Sequence, residues 1–174
     1  MLQRPDPSEH DPYYGLYIDQ VPDGDVLTIL VSQLTDTVEL LGRVPVEMEV
    51  VGYAPGKWSV REVVGHLIDT ERMFVHRAFA MARGDAGELP SFDQNDYAAS
   101  SNANARPLSE LCDELVAVRN SSVSLFRSLT DEMWLRRGIA SDVSFAVRAF
   151  PFIVAGHELH HRTILADQYL GRVS

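Results

Sequence analysis

Two histidines, His157 and His161, stand four residues apart in the stretch GHELHHRTIL. A helix turns by about 100° per residue, so both rings would project from one face. Laid out around His157, the residues Phe150, Ile153, Val154, Ile164 and Leu165 fall on the same side. The pair therefore lies in the middle of an apolar stripe that faces a bundle interior. His160 is displaced to the flank, and Glu158 lies further round. A single histidine in such a stripe is ordinarily a core residue hydrogen-bonded to a neighbour. Two are harder to accommodate, since each unpaired ring costs about 1–3 kcal/mol on burial. A shared metal would satisfy both, neutral imidazole being a good ligand for zinc and its first-row neighbours.

Two imidazoles make half a site, so a further donor must arrive from another segment. The stretch WSVREVVGHLIDTER offers His66. Its apolar stripe runs through Val60, Val63, Val64, Leu67, Phe74 and Ala78, and His66 lies about 90° from the centre of that stripe. On this shoulder, beside Ser59, Glu62, Asp69, Thr70 and Met73, it faces either a groove between helices or solvent. His76 points further from the stripe and His10 sits in an irregular N-terminal segment; both read as surface residues. Glu71 falls near the apolar stripe, where a bare carboxylate needs a partner. It either accepts the free ring N–H of a ligand histidine or pairs with an arginine on a neighbouring helix.

Arg72, Arg119 and Arg148 are the cations available around such a site, and each reads first as a solvated arginine on a helix face. Phe92, Asp93, Gln94 and Tyr97 either line the mouth of the site or cover the end of the bundle. The single cysteine, Cys112, lies on or near an apolar helix face and reads as packing rather than as a nucleophile. No G-x-S-x-G elbow or Walker-type loop suggests a different chemistry.

The elements that must position these residues follow from periodicity. Val26, Ile29, Leu30, Leu34, Thr37, Leu40 and Leu41 repeat at helical spacing and predict a helix over about Asp25–Gly42, with Asp23 as its N-cap. Ser59 and Glu62 form a capping box that opens a helix over Val60–Ala82. Pro107 opens another, to about Leu129, and TDEMW adds a short turn. The last helix, capped by Ser144, runs to about Leu170, with Pro151 bending it or marking its true start. RRGIASDVSFAVRAF admits a turn or a brief hairpin. Residues 1–23 are rich in Pro, Gly and Asp and read as an extended arm pinned by Tyr13, Tyr14 and Tyr17. Residues 85–106 form a polar loop, longer than compact domains usually carry without a site to serve. Four amphipathic helices indicate an all-α four-helix bundle, and the long middle connections favour crossover threading.

The 174 residues suit one domain spanning 1–174. The net charge of −10, from 25 acids against 15 bases, argues against a nucleic-acid backbone as partner. No apolar run approaches the roughly 18 residues of a membrane span. With its lone cysteine and no apolar leader, the sequence reads as cytoplasmic.

Taken together these residues resemble the DinB-like superfamily, also described as DinB/YfiT-like metalloenzymes. The resemblance rests on GKWSVREVVGHLIDTERMFVHRAF and AGHELHHRTILADQYL, with support from LPSFDQNDY and YYGLYIDQVPDGDVLTIL. It covers nearly the whole chain in order. It implies an up-down-down-up four-helix bundle, homodimers, and a divalent metal (zinc, nickel, iron or manganese) held by His66, His157 and His161. It also implies enzymes on small-molecule substrates, either hydrolases or transferases using a low-molecular-weight thiol such as bacillithiol or mycothiol. Glu71 would then stand behind the ligands, and Arg72, Arg148 and Tyr97 would be candidates for the cofactor. The competing expectation is a stress-associated binding or scaffold protein whose metal is structural.

Overall fold

In the computed structural model, which describes residues 1–85 and 87–171, the capping box forms as its spacing requires. Ser59 Oγ accepts from the Glu62 amide at 3.1 Å while Glu62 accepts from the Ser59 amide at 2.7 Å. This opens the second of four long helices. In chain order the elements are α1 (Pro12–Ile18), α2 (Val26–Leu41), α3 (Val60–Ala82), α4 (Gln94–Ser100), α5 (Leu108–Arg127), α6 (Asp131–Leu135), the strands β1 (Arg137–Ala140) and β2 (Val143–Ala146), and α7 (Ala149–Ile164), which continues as a π-helical turn over Leu165–Leu170. The cap of α2 is Asp25, which accepts from the Thr28 amide, and not Asp23. No described helix is long and apolar enough to cross a membrane.

Helices α2, α3, α5 and α7 form the bundle. Each of α2 and α3 packs against both α5 and α7. Polar cross-links give the directions. Gln33 bonds to Ala155 and Asp36 to Arg162, so α2 and α7 run parallel. Arg61 meets Asn104, and Arg72 meets Glu114 further along, so α3 and α5 run parallel. The two apolar clusters show that the other neighbours are antiparallel. Val26 and Leu30 join Val123 and Phe126 at one end, and Leu34 and Leu41 join Leu108 and Leu111 at the other. In the same way Phe74 and Ala78 join Phe150, whereas Val60 and Val64 join Leu165. The order is up-down-down-up, as the resemblance implies.

This order explains the length of the middle connection. Parallel α3 and α5 require residues 83–107 to return along the height of the bundle, about 34 Å for a helix of 23 residues. The segment is not the structureless loop the sequence suggests. Asp93 accepts from the amides of Asn95 and Asp96 and starts α4.

Two other segments differ from expectation. The N-terminal arm is not extended throughout, because Pro12 sits at the first position of α1, where its missing N–H costs nothing, and Asp11 caps it. Ser144 does not cap the last helix; it lies in β2 opposite Ile139. The hairpin alternative is realised, with Ser141 and Asp142 in its turn at φ 53° and 63°. Pro151 then falls in the first turn of α7, where it is tolerated.

Between the two apolar ends runs a buried polar layer. It holds Gln33 and Thr37 of α2, Glu71 of α3, Arg119 of α5, and His157, Glu158 and His161 of α7. Every bundle helix contributes to it.

Candidate metal centre

His66 is only 4% exposed, so the shoulder on which it sits faces a groove between helices and not solvent. His157 and His161 are buried as well. Each of the three offers a ring nitrogen, and these lie within 4.8 Å of one another. Nε2 of His66 is 3.0 Å from Nε2 of His157. Three nitrogens bound tetrahedrally to one first-row metal would stand about 3.3 Å apart, so small ring movements suffice to close the set.

Burial sets the charge of these rings. It lowers the pKa of His66 to about 4. For His161 burial, with His66 and His160 adding repulsion, lowers it to about 3. His157 is pushed well below the ordinary value by burial and then by its histidine neighbours. All three are neutral near pH 7, the form that binds metal. His66 Nδ1 lies 3.2 Å from the Thr70 hydroxyl one turn along α3, which leaves Nε2 for the cluster. His161 Nδ1 is buried without a hydrogen-bond partner. With protein partners alone the cluster is under-satisfied; its donor set fits a divalent cation.

Aromatic rings enclose it. Trp58 packs 4.8 Å from the His66 ring, Tyr17 meets His157 edge-on at 5.4 Å, and Phe74 lies 6.2 Å from His157. Tyr17 reaches this position because α1 crosses α7 at Gly156, where a Cβ would overlap the Tyr17 carbonyl oxygen. His160 is half-buried and packs edge-on against Tyr17 and His161, outside the nitrogen cluster.

Glu71 takes the second of its two expected roles. Both its oxygens accept from Arg119 of α5, at 2.8–3.2 Å, in place of a ligand ring. Arg119 also reaches Glu158 at 2.7 Å and the Leu30 carbonyl at 2.9 Å, and Gln33 and Thr37 donate to Glu158. Arg119 is therefore buried, not solvated. Burial disfavours its charge, but Glu158 and Glu71 outweigh burial and raise its pKa.

The other candidates are elsewhere. Arg72 is exposed and paired with Glu114 at 2.6 Å. Arg148 is held by Glu9 at 2.7 Å. His76 is exposed, whereas His10 is buried, contrary to expectation, its Nδ1 donating to the Asp11 carbonyl. Cys112 is half-buried, and burial raises its pKa, so it is a poor thiolate.

A cleft of about 320 Å³ opens onto His157, lined by Phe92, Asp93 and Gln94 among others, but not by Tyr97, whose ring packs at a tilt against Phe92. A second cleft, of about 240 Å³, reaches His161 past Trp58. Arg77, Ser91, Asn95 and Ser141 of the first cleft are not singled out by the sequence analysis, and Tyr14 enters it only as an anchor of the N-terminal arm. Arg77 could have been found: it follows His66 by eleven residues, close to three full turns, so both share one face of α3.

Comparison with known proteins agrees with this architecture. No curated protein matches the sequence. Among solved structures, YfiT from Bacillus subtilis superposes with a TM-score of 0.69 at 20% identity, over 95% of this chain and 91% of that one; it is described as a "probable metal-dependent hydrolase with an unusual four-helix bundle topology". A mycothiol-dependent maleylpyruvate isomerase matches with a TM-score of 0.69 at 10% identity, over 85% of this chain but only 62% of that one. The DinB-like protein YjoA from Bacillus subtilis gives 0.62 at 17% identity, over 87% and 93% of the two chains. At these identities the likeness is one of fold. The sequence profile of the DinB superfamily, however, matches residues 24–165 directly, a span that contains all three clustered histidines. The chain belongs to the DinB superfamily.

Proposed function

We propose that His66, His157 and His161 hold a divalent metal (zinc, nickel, iron or manganese) and that the protein is a metal-dependent enzyme acting on a small molecule. The observation that carries this reading is the convergence of three neutral, buried imidazoles from two helices, one of which, His157, lines an open cleft. Three protein ligands leave a position free, as catalytic sites do. When bound there, the metal would make a water or a thiol nucleophilic near neutral pH. The chain's own residues supply the rest. Thr70 orients the His66 ring, and Trp58, Tyr17 and Phe74 pack against the histidine rings. Cys112 is ill-suited as the nucleophile, so a thiol would come from outside as a low-molecular-weight cofactor such as bacillithiol or mycothiol. Hydrolase and S-transferase chemistry both fit; YfiT, a probable metal-dependent hydrolase, supports the first, and the mycothiol-dependent isomerase supports the use of a thiol cofactor. A homodimer in the cytoplasm completes the reading.

The test is elemental analysis of the natively purified protein and of His66→Ala, His157→Ala and His161→Ala. About one metal per chain in the parent and its loss from the variants is expected; full retention in all three rejects the assignment. Turnover panels of thiol–electrophile pairs and of esters and amides then separate the two chemistries.

A further inference from the structure

Arg77 is 2% exposed, and a buried charge ordinarily carries a counter-charge. The other buried arginine, Arg119, and the half-buried Arg61 and Arg148 follow that rule. Arg119 has Glu71 and Glu158, Arg61 has Glu49, and Arg148 has Glu9. Among the described residues Arg77 has no carboxylate within ion-pair distance. Its Nη2 donates to the Pro90 carbonyl at 2.7 Å and to Ser141 Oγ at 3.0 Å, and its charge acts on the phenol of Tyr14. The two acceptors, Pro90 and Ser141, are neutral. Its Nε is buried and has no partner.

Arg77 and Tyr14 line the same cleft as His157. The rest of that lining offers neutral donors such as Ser91, Gln94 and Asn95, and one acid, Asp93. Asp93 is committed to the amides that start α4. Phe74, whose ring meets His157, precedes Arg77 by one turn of α3. Along α3 Arg77 stands ~16 Å of helical rise beyond His66, and His157, which meets Phe74 between them, lines the same cleft as Arg77. The turn that brings Ser141 to Arg77 has two consecutive non-glycine residues at positive φ, Ser141 and Asp142, a conformation that persists where surrounding structure enforces it.

We propose that Arg77 and Tyr14 form a carboxylate subsite, so that the ligand of the cleft is a small molecule with a carboxylate at one end and its reacting group at the histidine cluster. Arg77 supplies the missing half of an ion pair. Tyr14, whose phenol burial holds above its usual pKa, remains a donor at neutral pH. The proposal rests on the reading of this cleft as the entrance to the catalytic centre. The carboxylate belongs either to the substrate or to a thiol cofactor.

The test is calorimetric titration of the full chain after chelator treatment, so that no metal can hold the probe. Succinate stands for the substrate and N-acetylcysteine for the thiol, with their amides as neutral controls. At least one acid should bind while its amide does not. Arg77→Gln should weaken that binding at least about tenfold, and Tyr14→Phe, which keeps the ring, about threefold. Repeating the titration on metal-loaded protein assigns the source, since the acid whose other end meets the metal gains the greater affinity. Equal binding of acid and amide, or no binding of either acid, overturns the subsite. So does undiminished affinity in a folded Arg77→Gln, which would leave Arg77 as a clamp between Pro90 and Ser141. If Arg77→Gln fails to fold, undiminished affinity in Tyr14→Phe overturns it alone. Succinate binding that persists in a His157→Ala variant devoid of metal supports the subsite, whatever becomes of the metal assignment.

Discussion

Replacing Arg119 by methionine would leave two acids, Glu71 and Glu158, buried at 3% and 2% exposure without a counter-charge. Glu158 keeps its donors Gln33 and Thr37, but Glu71 loses all three of its contacts with the guanidinium. The Leu30 carbonyl also loses the donor that Arg119 supplies. Breaking a buried pair by removing one partner costs about 3–5 kcal/mol. For a chain of this size that corresponds to about 6–20 °C in Tm. Adding Glu71→Gln and Glu158→Gln removes the uncompensated charge, and this triple variant should recover at least about half of the loss. Urea denaturation of metal-stripped protein measures each variant without a contribution from metal binding. A loss below about 1 kcal/mol in Arg119→Met would show that solvent reaches the layer. A triple variant worse than the single one would show that shape, and not charge, dominates there.

Three further outcomes follow from the same structure. Gly156→Ala should destabilise by about 1–3 kcal/mol through overpacking and speed proteolytic cleavage before residue 25, because α1 must move off α7; unchanged stability and cleavage would contradict that crossing. Ser59→Ala should cost about 1 kcal/mol by urea denaturation, since it removes the cap of α3 and the 2.6 Å bond to Asn104. The metal-free protein should lose stability as pH falls. Folded-state pKa values of about 4 for His66 and about 3 for His161 lie below the ordinary 6.5, so the unfolded chain takes up protons first. The contribution of the neutral rings is complete above pH about 6.5 and declines toward about 3; urea midpoints against pH should show this slope, and His161→Leu should reduce it.

The bundle and its histidines were legible because their signals are periodic and local. The i, i+4 pair in an apolar stripe and the Ser59–Glu62 box each need only one helix to be right. Glu71 announced a need for a partner but not which one, because that depends on which helix packs beside α3. Arg119 does carry a signal of burial. It follows Leu111 and Leu115 and precedes Ser122 and Phe126 at helical spacing, within the buried stripe of α5. The hairpin turn carries Ser141-Asp142 where glycine or asparagine usually advertises positive φ. Helix α4 has seven residues and no stripe of its own; its cap and its place against α3 define it, and neither is visible as periodicity.

The three clustered imidazoles come from segments about ninety residues apart, on helices that meet only when the last one docks. During synthesis, the growing polypeptide presents one of them long before the other two exist. A prematurely terminated product ending before residue 157 would thus be unable to sequester an ion through this trio. Assembly of the centre is tied to the arrival of α7, and nucleation of the remaining helices cannot substitute for it.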